Sequence, residues 1–292
     1  MLELFLYLCH KTKPMKKTLL TIFCLFAIFT SFSQKKEKIK GSKNVVVQLK
    51  KIEPFSQLEI LNDIEINLIK GDKCAVELEA DDNLQEVLDL RMNGTMLIIS
   101  YAKEVLSSKK FSIRVTYTDD LTLISAKEKS KIMALQTIKL DVLTIKAVDN
   151  AKLFLNIDSK NCTISLNDKA QIELNAKSEV LSVDVSKNSE LKALVSALTF
   201  KCDLYQSAEA KIEGDVINLV VRIENESKFD GKKLNSKKAD ITVENNASCT
   251  INAESFIAIS AADKAEIDLF GEAKIDLQKF SGTAILRKKT GR

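Results

Sequence analysis

Few side chains in this sequence carry reactive chemistry. Its 292 residues include one histidine, His10, six cysteines, four tyrosines and no tryptophan. His10 lies in a segment read below as a cleaved leader, and without it no Ser–His or Cys–His nucleophile can be assembled. The cysteines beyond the leader are Cys74, Cys162, Cys202 and Cys249, with no Cys-x-x-Cys or Cys/His spacing of a zinc site. Carboxylates are plentiful. Glu173, Asp184, Asp203, Glu213, Glu224, Asp240 and Glu244 fall at outward strand positions. Paired carboxylates could cleave a polysaccharide, but charges on outward strand faces ordinarily form a solvated surface. Stacking on a sugar would fall to Tyr101, Tyr117 or Tyr205, of which Tyr205 has an outward position. No catalytic, cofactor-binding, metal-binding or ligand-binding residue is assigned.

These positions are fixed by a repeat. Seven similar units start at Leu143, Cys162, Leu181, Cys202, Leu219, Ala239 and Ile257, at spacings of 19, 19, 21, 17, 20 and 18 residues. The third position of each unit is aliphatic, from Ile145 and Ile164 to Ile259, and the ninth is small, as at Ala151, Ala170, Ser189 and Ala247. The eleventh is apolar, as at Leu153, Ile172 and Ile267, and the residues between are mostly polar. Alternation with period two gives strands with one face in and one out. Asp149-Asn150, Asp168-Lys169, Asn225-Glu226, Asn245-Asn246 and Asp263-Lys264 mark a tight corner between two strands, because Asn and Asp tolerate left-handed backbone angles. A small residue after the bend fits a crowded inner corner, and a return of variable length closes each rung. One rung cannot bury its apolar face alone; stacking about 4.8 Å apart gives a continuous core. The expected fold is all-β: a right-handed parallel β-helix, or solenoid, with rungs of about 17–21 residues.

The expected order along the chain is a signal-peptide region 1–33, a charged linker 34–44, N-terminal β rungs and cap over 45–120, the regular solenoid over 121–275, and a C-terminal edge and tail over 276–292. A looser unit starts at Leu121, with Leu123, Ser125, Ser130 and Ile132 in its register. Cys162 and Cys202 share a column in this register but sit two rungs apart, about 9.6 Å, too far for a disulfide. Buried free thiols are expected there, with Cys74 outside the register and its pairing open. The Asp/Asn corners could suggest Ca²⁺, but Lys169, Lys187 and Lys264 interrupt the ladder, and turn chemistry accounts for it.

Met15 to Ser33 reads as a secretory signal: Lys16 and Lys17, an apolar run from Leu19 to Phe29, and small residues before Gln34. Met15 is the expected start. Removing residues 1–33 takes away four lysines and Glu3, leaving 40 basic and 39 acidic residues. A net charge of +1 with no basic block excludes a nucleic-acid binder. No second long apolar stretch follows, so no transmembrane helix is expected in the mature chain.

Phe55-x-x-Leu58-x-Ile60, Ile66-x-Leu68-x-x-Gly71-Asp72 and Asn93-Gly94-Thr95-Met96-Leu97-Ile98-Ile99, followed by the Asp/Asn-x-Ala/Ser rungs, resemble the auto-transporter adhesin head GIN domain family of exported Gram-negative proteins. The resemblance covers roughly residues 50 to 270. It implies a β-helix-like fold and a cell-envelope location, and it brings no catalytic residues and no cofactor. The expected function is a non-enzymatic, adhesin-like binding or surface module of the envelope. Its partner would be an extracellular or envelope polysaccharide or protein. The alternatives are a polysaccharide-active enzyme using surface carboxylates and a purely structural envelope component. The location is periplasmic, outer-membrane-associated or on the cell surface.

Overall fold

The computed structural model describes residues 37–290. The leader, His10 and the expected start at Met15 lie outside the described residues. From Ile39 onward the chain forms one compact unit, a β-solenoid of about nine turns. Five strands carry most of it: Lys152–Leu166, Gln171–Ser186, Glu190–Tyr205, Glu209–Ile223 and Lys228–Val243. Each pairs in parallel with the next. At 15 or 16 residues they are too long for one side of a coil, so the chain turns corners while the ladder continues.

The register revises one sequence assignment. Leu143, Cys162, Leu181, Phe200, Leu219, Ala239 and Ile257 are stacked partners. The fourth unit therefore starts at Phe200, and the spacings of 21 and 17 become two spacings of 19. Cys202 belongs with Val183 and Val221, in the column beside that of Cys162. The looser unit shifts too: Ile124 stacks on Ile145 and is fully buried, whereas Leu123 is only half-buried.

The corner is built as its residue types require. Asn62, Glu128, Asp149, Asp168, Lys187, Gln206, Asn225, Asn245, Asp263 and Gly282 occupy equivalent bends with φ between 54° and 71°. Side chains and backbone link them from coil to coil. Asn62 Nδ2 donates to Glu128 Oε2, the Glu128 N–H to Asp149 Oδ2, and Asn245 Nδ2 to Asn225 Oδ1. Behind them Ser130, Ala151, Ala170, Ser189, Ala208, Ser227, Ala247 and Ala265 form a column at most 1% exposed. Strand alternation then buries Ile145, Ile164, Ile241 and Ile259 on one side, and Leu153, Leu191 and Ile267 on the next. Each such side chain contributes about 1.5–3 kcal/mol of burial.

The N-terminal stack does not follow chain order. Gln57–Ile60 lies between Met96–Tyr101 and Leu123–Ala126, and Glu65–Lys70 lies between Phe111–Tyr117 and Lys131–Met133. The chain adds a coil on one side of its first, then crosses to continue on the other. Ala75–Asp81 and Leu88–Asn93 are antiparallel additions. The single 3₁₀ turn between them seats Leu84, Val87 and Leu88 over the end of the core. Asp81, fully buried, ties this cap together. Its carboxylate accepts the backbone N–H groups of Lys43, Lys109 and Lys110. At the other end, Lys274–Phe280 and Ile285–Lys288 form one further coil that starts two residues before the expected edge and tail, 276–292, and continues into it.

Candidate functional site

The return side of the coil carries a long concave feature. The parallel ladder skips one residue per coil here. Lys160 and Glu179 are unpaired between Ser159–Ser178 and Asn161–Val180, and Leu198, Ile217 and Lys237 are skipped in the same way in later coils. The residue before the skip is small or short: Ser159, Ser178, Ala197, Val216, Ser236. It points inward and is at most 8% exposed, while the skipped residue stands out as a lip. Repeated over successive coils, the kink becomes a groove of about 1140 Å³ running along the solenoid.

Its walls alternate in charge. One carries Lys139, Asp158, Lys177, Ser196 and Asp215; the other carries Asp141, Lys160, Glu179, Leu198 and Ile217. Lys160 Nζ donates to Asp141 at 2.7 Å, and that bond raises the lysine's pKa. The floor hydroxyls are engaged internally: Ser159 and Ser178 lie 3.3 Å apart, and Ser178 also donates to a backbone carbonyl. Midway along the lip wall the charges give out, and Leu198 (52% exposed) and Ile217 (45%) form an apolar saddle facing Ser196 and Asp215. On the neighbouring corner a second groove of about 730 Å³ includes Leu135, Phe154 and Leu194. Asn175 donates to Asn156 in the second groove, and Asn235 to Asp215 on the wall of the first.

The carboxylates singled out from sequence do not converge on one site. Glu213 pairs with Lys233, Glu244 with Lys279, and Glu224 with Arg222. Asp184 and Asp203 are the pair brought together, as direct register partners on the outer face of the first side. Partial burial and the Asp203 charge raise the Asp184 pKa. Tyr205 stands beside Arg222, whose pKa is raised by the contact. Glu173 and Glu213 line the second groove. Tyr117 is 1% exposed and cannot stack on a ligand, and Tyr101 packs edge-on against Phe111.

Cys162, Cys202 and Cys249 are buried and Cys74 half-buried, all as free thiols. Burial pushes the Cys162 thiol up to about 12 and raises those of Cys202 and Cys249 as well. Such thiols are inert core residues. The corner Asp and Asn side chains are spent on turn geometry and on one another. Among the described residues no helix is long and apolar enough to cross a membrane.

The groove lay hidden from sequence because its residues fall in the return, where the repeat is least regular. The recurring signal was a small or hydroxyl residue followed by a long one: Ser159-Lys160, Ser178-Glu179, Ala197-Leu198.

The family model described as "Putative auto-transporter adhesin, head GIN domain" matches residues 54–195 and again 162–273. The chain belongs to this family. The second match overlaps the first, as expected of a repeat whose coils can be aligned in more than one way. Similar folds are known from crystal structures. One, described as a "putative adhesin" from Parabacteroides distasonis ATCC 8503, has 16% identity and a TM-score of 0.64, covering 86% of this chain and 99% of that one. Another "putative adhesin", from Parabacteroides merdae ATCC 43184, has 14% identity and a TM-score of 0.59, covering 86% and 98%. A "putative lipid binding protein" from P. distasonis ATCC 8503 has 14% identity and a TM-score of 0.61, covering 86% and 100%. At these identities the likeness concerns the fold. No curated protein matches the chain. The GIN family thus joins proteins described as adhesins, and its function is undetermined.

Proposed function

We propose that this GIN-domain protein is an exported, non-enzymatic binding module of the cell envelope that holds an extended polymer in the groove of its return side. The observation that carries this reading is the groove itself. It crosses six coils, from Asp141 to Lys237, or about 24 Å at ~4.8 Å per coil. It is open along its length and displays apolar side chains that the fold does not use. A long shallow groove with repeated walls suits a chain-like ligand better than a small molecule, which is ordinarily enclosed on most sides. Walls of alternating sign offer hydrogen bonds and ion pairs to a polysaccharide or an extended polypeptide, and the Leu198–Ile217 saddle offers apolar contact. No aromatic side chain lines it, so recognition does not depend on stacking.

Binding without turnover is supported by the side chains present. Three of the seven outward acids, Glu213, Glu224 and Glu244, are paired with neighbouring cations, and no histidine occurs among the described residues. The Asp184–Asp203 pair is the observation that favours an enzyme. The test uses immobilised mucin, peptidoglycan, hyaluronate and gelatin as probes. Retention on at least one is expected, with no soluble fragments released, and at least tenfold weaker retention after Leu198→Lys plus Ile217→Lys. Fragment release that disappears with Asp184→Asn would replace this reading with the enzyme.

A further inference from the structure

The two ends of the solenoid are finished differently. At the N-terminal end Leu84, Val87 and Leu88 are buried in the core, and the strands there continue into antiparallel additions that end on Val45–Lys50, an edge whose exposed Val47 and Leu49 belong to no inward column of the solenoid. At the other end Lys274–Phe280 pairs only with Ser248–Ala261, and Ile285–Lys288 only with Glu266–Phe270. No described strand lies beyond them. The consequence shows in single columns. Ile257, Ile259 and Ala261 are fully buried, yet the residues stacked on them, Ile275, Leu277 and Phe280, are 39%, 53% and 44% exposed. These are core positions with one side uncovered, next to a row of unpaired backbone N–H and C=O groups. Such an edge is a template for strand addition.

The edge carries its own complement. A bulge at Gln278 puts Ile275, Leu277 and Phe280 on the inner face and Lys274, Asp276 and Lys279 on the outer. Two copies of Lys274–Phe280 laid antiparallel about a two-fold axis can be set with Ile275 opposite Phe280 and Asp276 opposite Lys279. Ile275 then meets Phe280 and Asp276 meets Lys279, each twice over by symmetry, with Leu277 beside the bulged Gln278 at the centre and Lys274 opposite Ser281 at the ends. Directly opposed apolar pairs and opposite charges stabilise a sheet, and a two-fold contact closes on itself without growing into a filament. The nearby Arg287, Lys288 and Lys289 already face Glu266, Asp268 and Glu272, which relieves repulsion between two copies.

We propose that this end of the solenoid is an interface with a second copy of the chain, formed by antiparallel pairing of Lys274–Phe280 with itself. The dimer joins two solenoids end to end and leaves the return-side grooves uncovered on both, so it stands or falls apart from the function proposed above.

Sedimentation velocity over a range of concentrations, on the full chain produced with its own leader, tests this. The wild type forms a dimer. Asp276→Lys and Lys279→Asp, singly, each weaken association at least tenfold, because like charges then face each other. The double exchange restores the dimer. Lys279 also bridges Glu244 in its own chain at 3.0 Å, so Glu244→Gln is the control and leaves the dimer intact. Melting curves check that each variant folds, and Leu277→Lys, at an exposed position, abolishes association without unfolding the coil. A wild type that stays monomeric, a dimer indifferent to both single exchanges, a double exchange that fails to restore it, or assembly beyond dimer would each overturn the proposal.

Discussion

Ala170 shows how tightly single residues are constrained here. It sits fully buried in the inner corner column between Ala151 and Ser189, directly behind the left-handed bend at Asp168. From Ser130 to Ala265 nothing larger than Ser occurs in this column, and only the first coil departs, with Ile64 stacked on Ser130. Ala170→Leu is expected to destabilise by at least ~1–3 kcal/mol, the usual cost of overpacking, read as a lower denaturant midpoint; an unchanged midpoint would mean that the corner has room. Gly214 is constrained differently. Its φ is +119°, and an added Cβ would lie 2.0 Å from the Val195 carbonyl oxygen. Asp81 governs the cap. Burial pushes its carboxyl up, but the N–H groups of Lys109, Lys43 and Lys110 outweigh this and hold it below its ordinary value of 3.8. A carboxyl depressed in the folded state stabilises above the unfolded pKa, and that contribution is lost as pH falls through the folded value. Asp81→Asn should therefore lower the melting temperature at pH 7. The difference from wild type should narrow below about 3.8. A difference that persists undiminished at pH 2 would assign the loss to packing instead.

At the scale of the coil, sequence periodicity carried most of the architecture, and its failures have physical causes. Inward positions repeat every second residue, so an alternating run looks the same when shifted by two. Phe200, Cys202 and Leu204 all point inward, as do Ala208 and Ala210, and only the corner residue distinguishes the two registers. In that coil the corner is Gln206, which carries no turn signature, and the unit is mis-set to Cys202. The N-terminal stack was harder still. Met96–Tyr101 packs outside Gln57–Ile60, a reversal of order that no local pattern encodes. The groove fell where the ladder skips a residue, and periodicity cannot see a position that breaks the period. Coil modularity gives a prediction. Deleting residues 162–180 removes one full spacing and joins Asn161 to Leu181, whose column is that of Leu143 and Cys162. The shortened protein should fold with a cooperative melt and slightly reduced stability, since each coil contacts mainly its neighbours. Deleting 162–171 should be far more damaging, because the coil at the junction would be ten residues short of its 19 and could not close onto its neighbours. Comparable circular dichroism melts for the two deletions would contradict the stacking described.

For the whole molecule, the groove is the feature that the fold does not need for its own stability. Leu198 and Ile217 stand about half exposed on the lip of the groove, outside the inward columns that hold the coil together. They interrupt an alternating charge pattern in the middle of a groove that crosses six coils. Among the described residues the native thiols are buried or half-buried, so an introduced cysteine can report on one place at a time. In a Cys74→Ser background, Leu198→Cys puts a reactive thiol in the groove, and Thr163→Cys puts one on the outer face of the first side. The decisive measurement is the rate of maleimide labelling at each, with and without the polymer that retains the protein. The groove reading predicts at least tenfold slower labelling at position 198 with bound polymer, an unchanged rate at position 163, and polymer recovered at its original length. Bound polymer that leaves position 198 as reactive as before would contradict it.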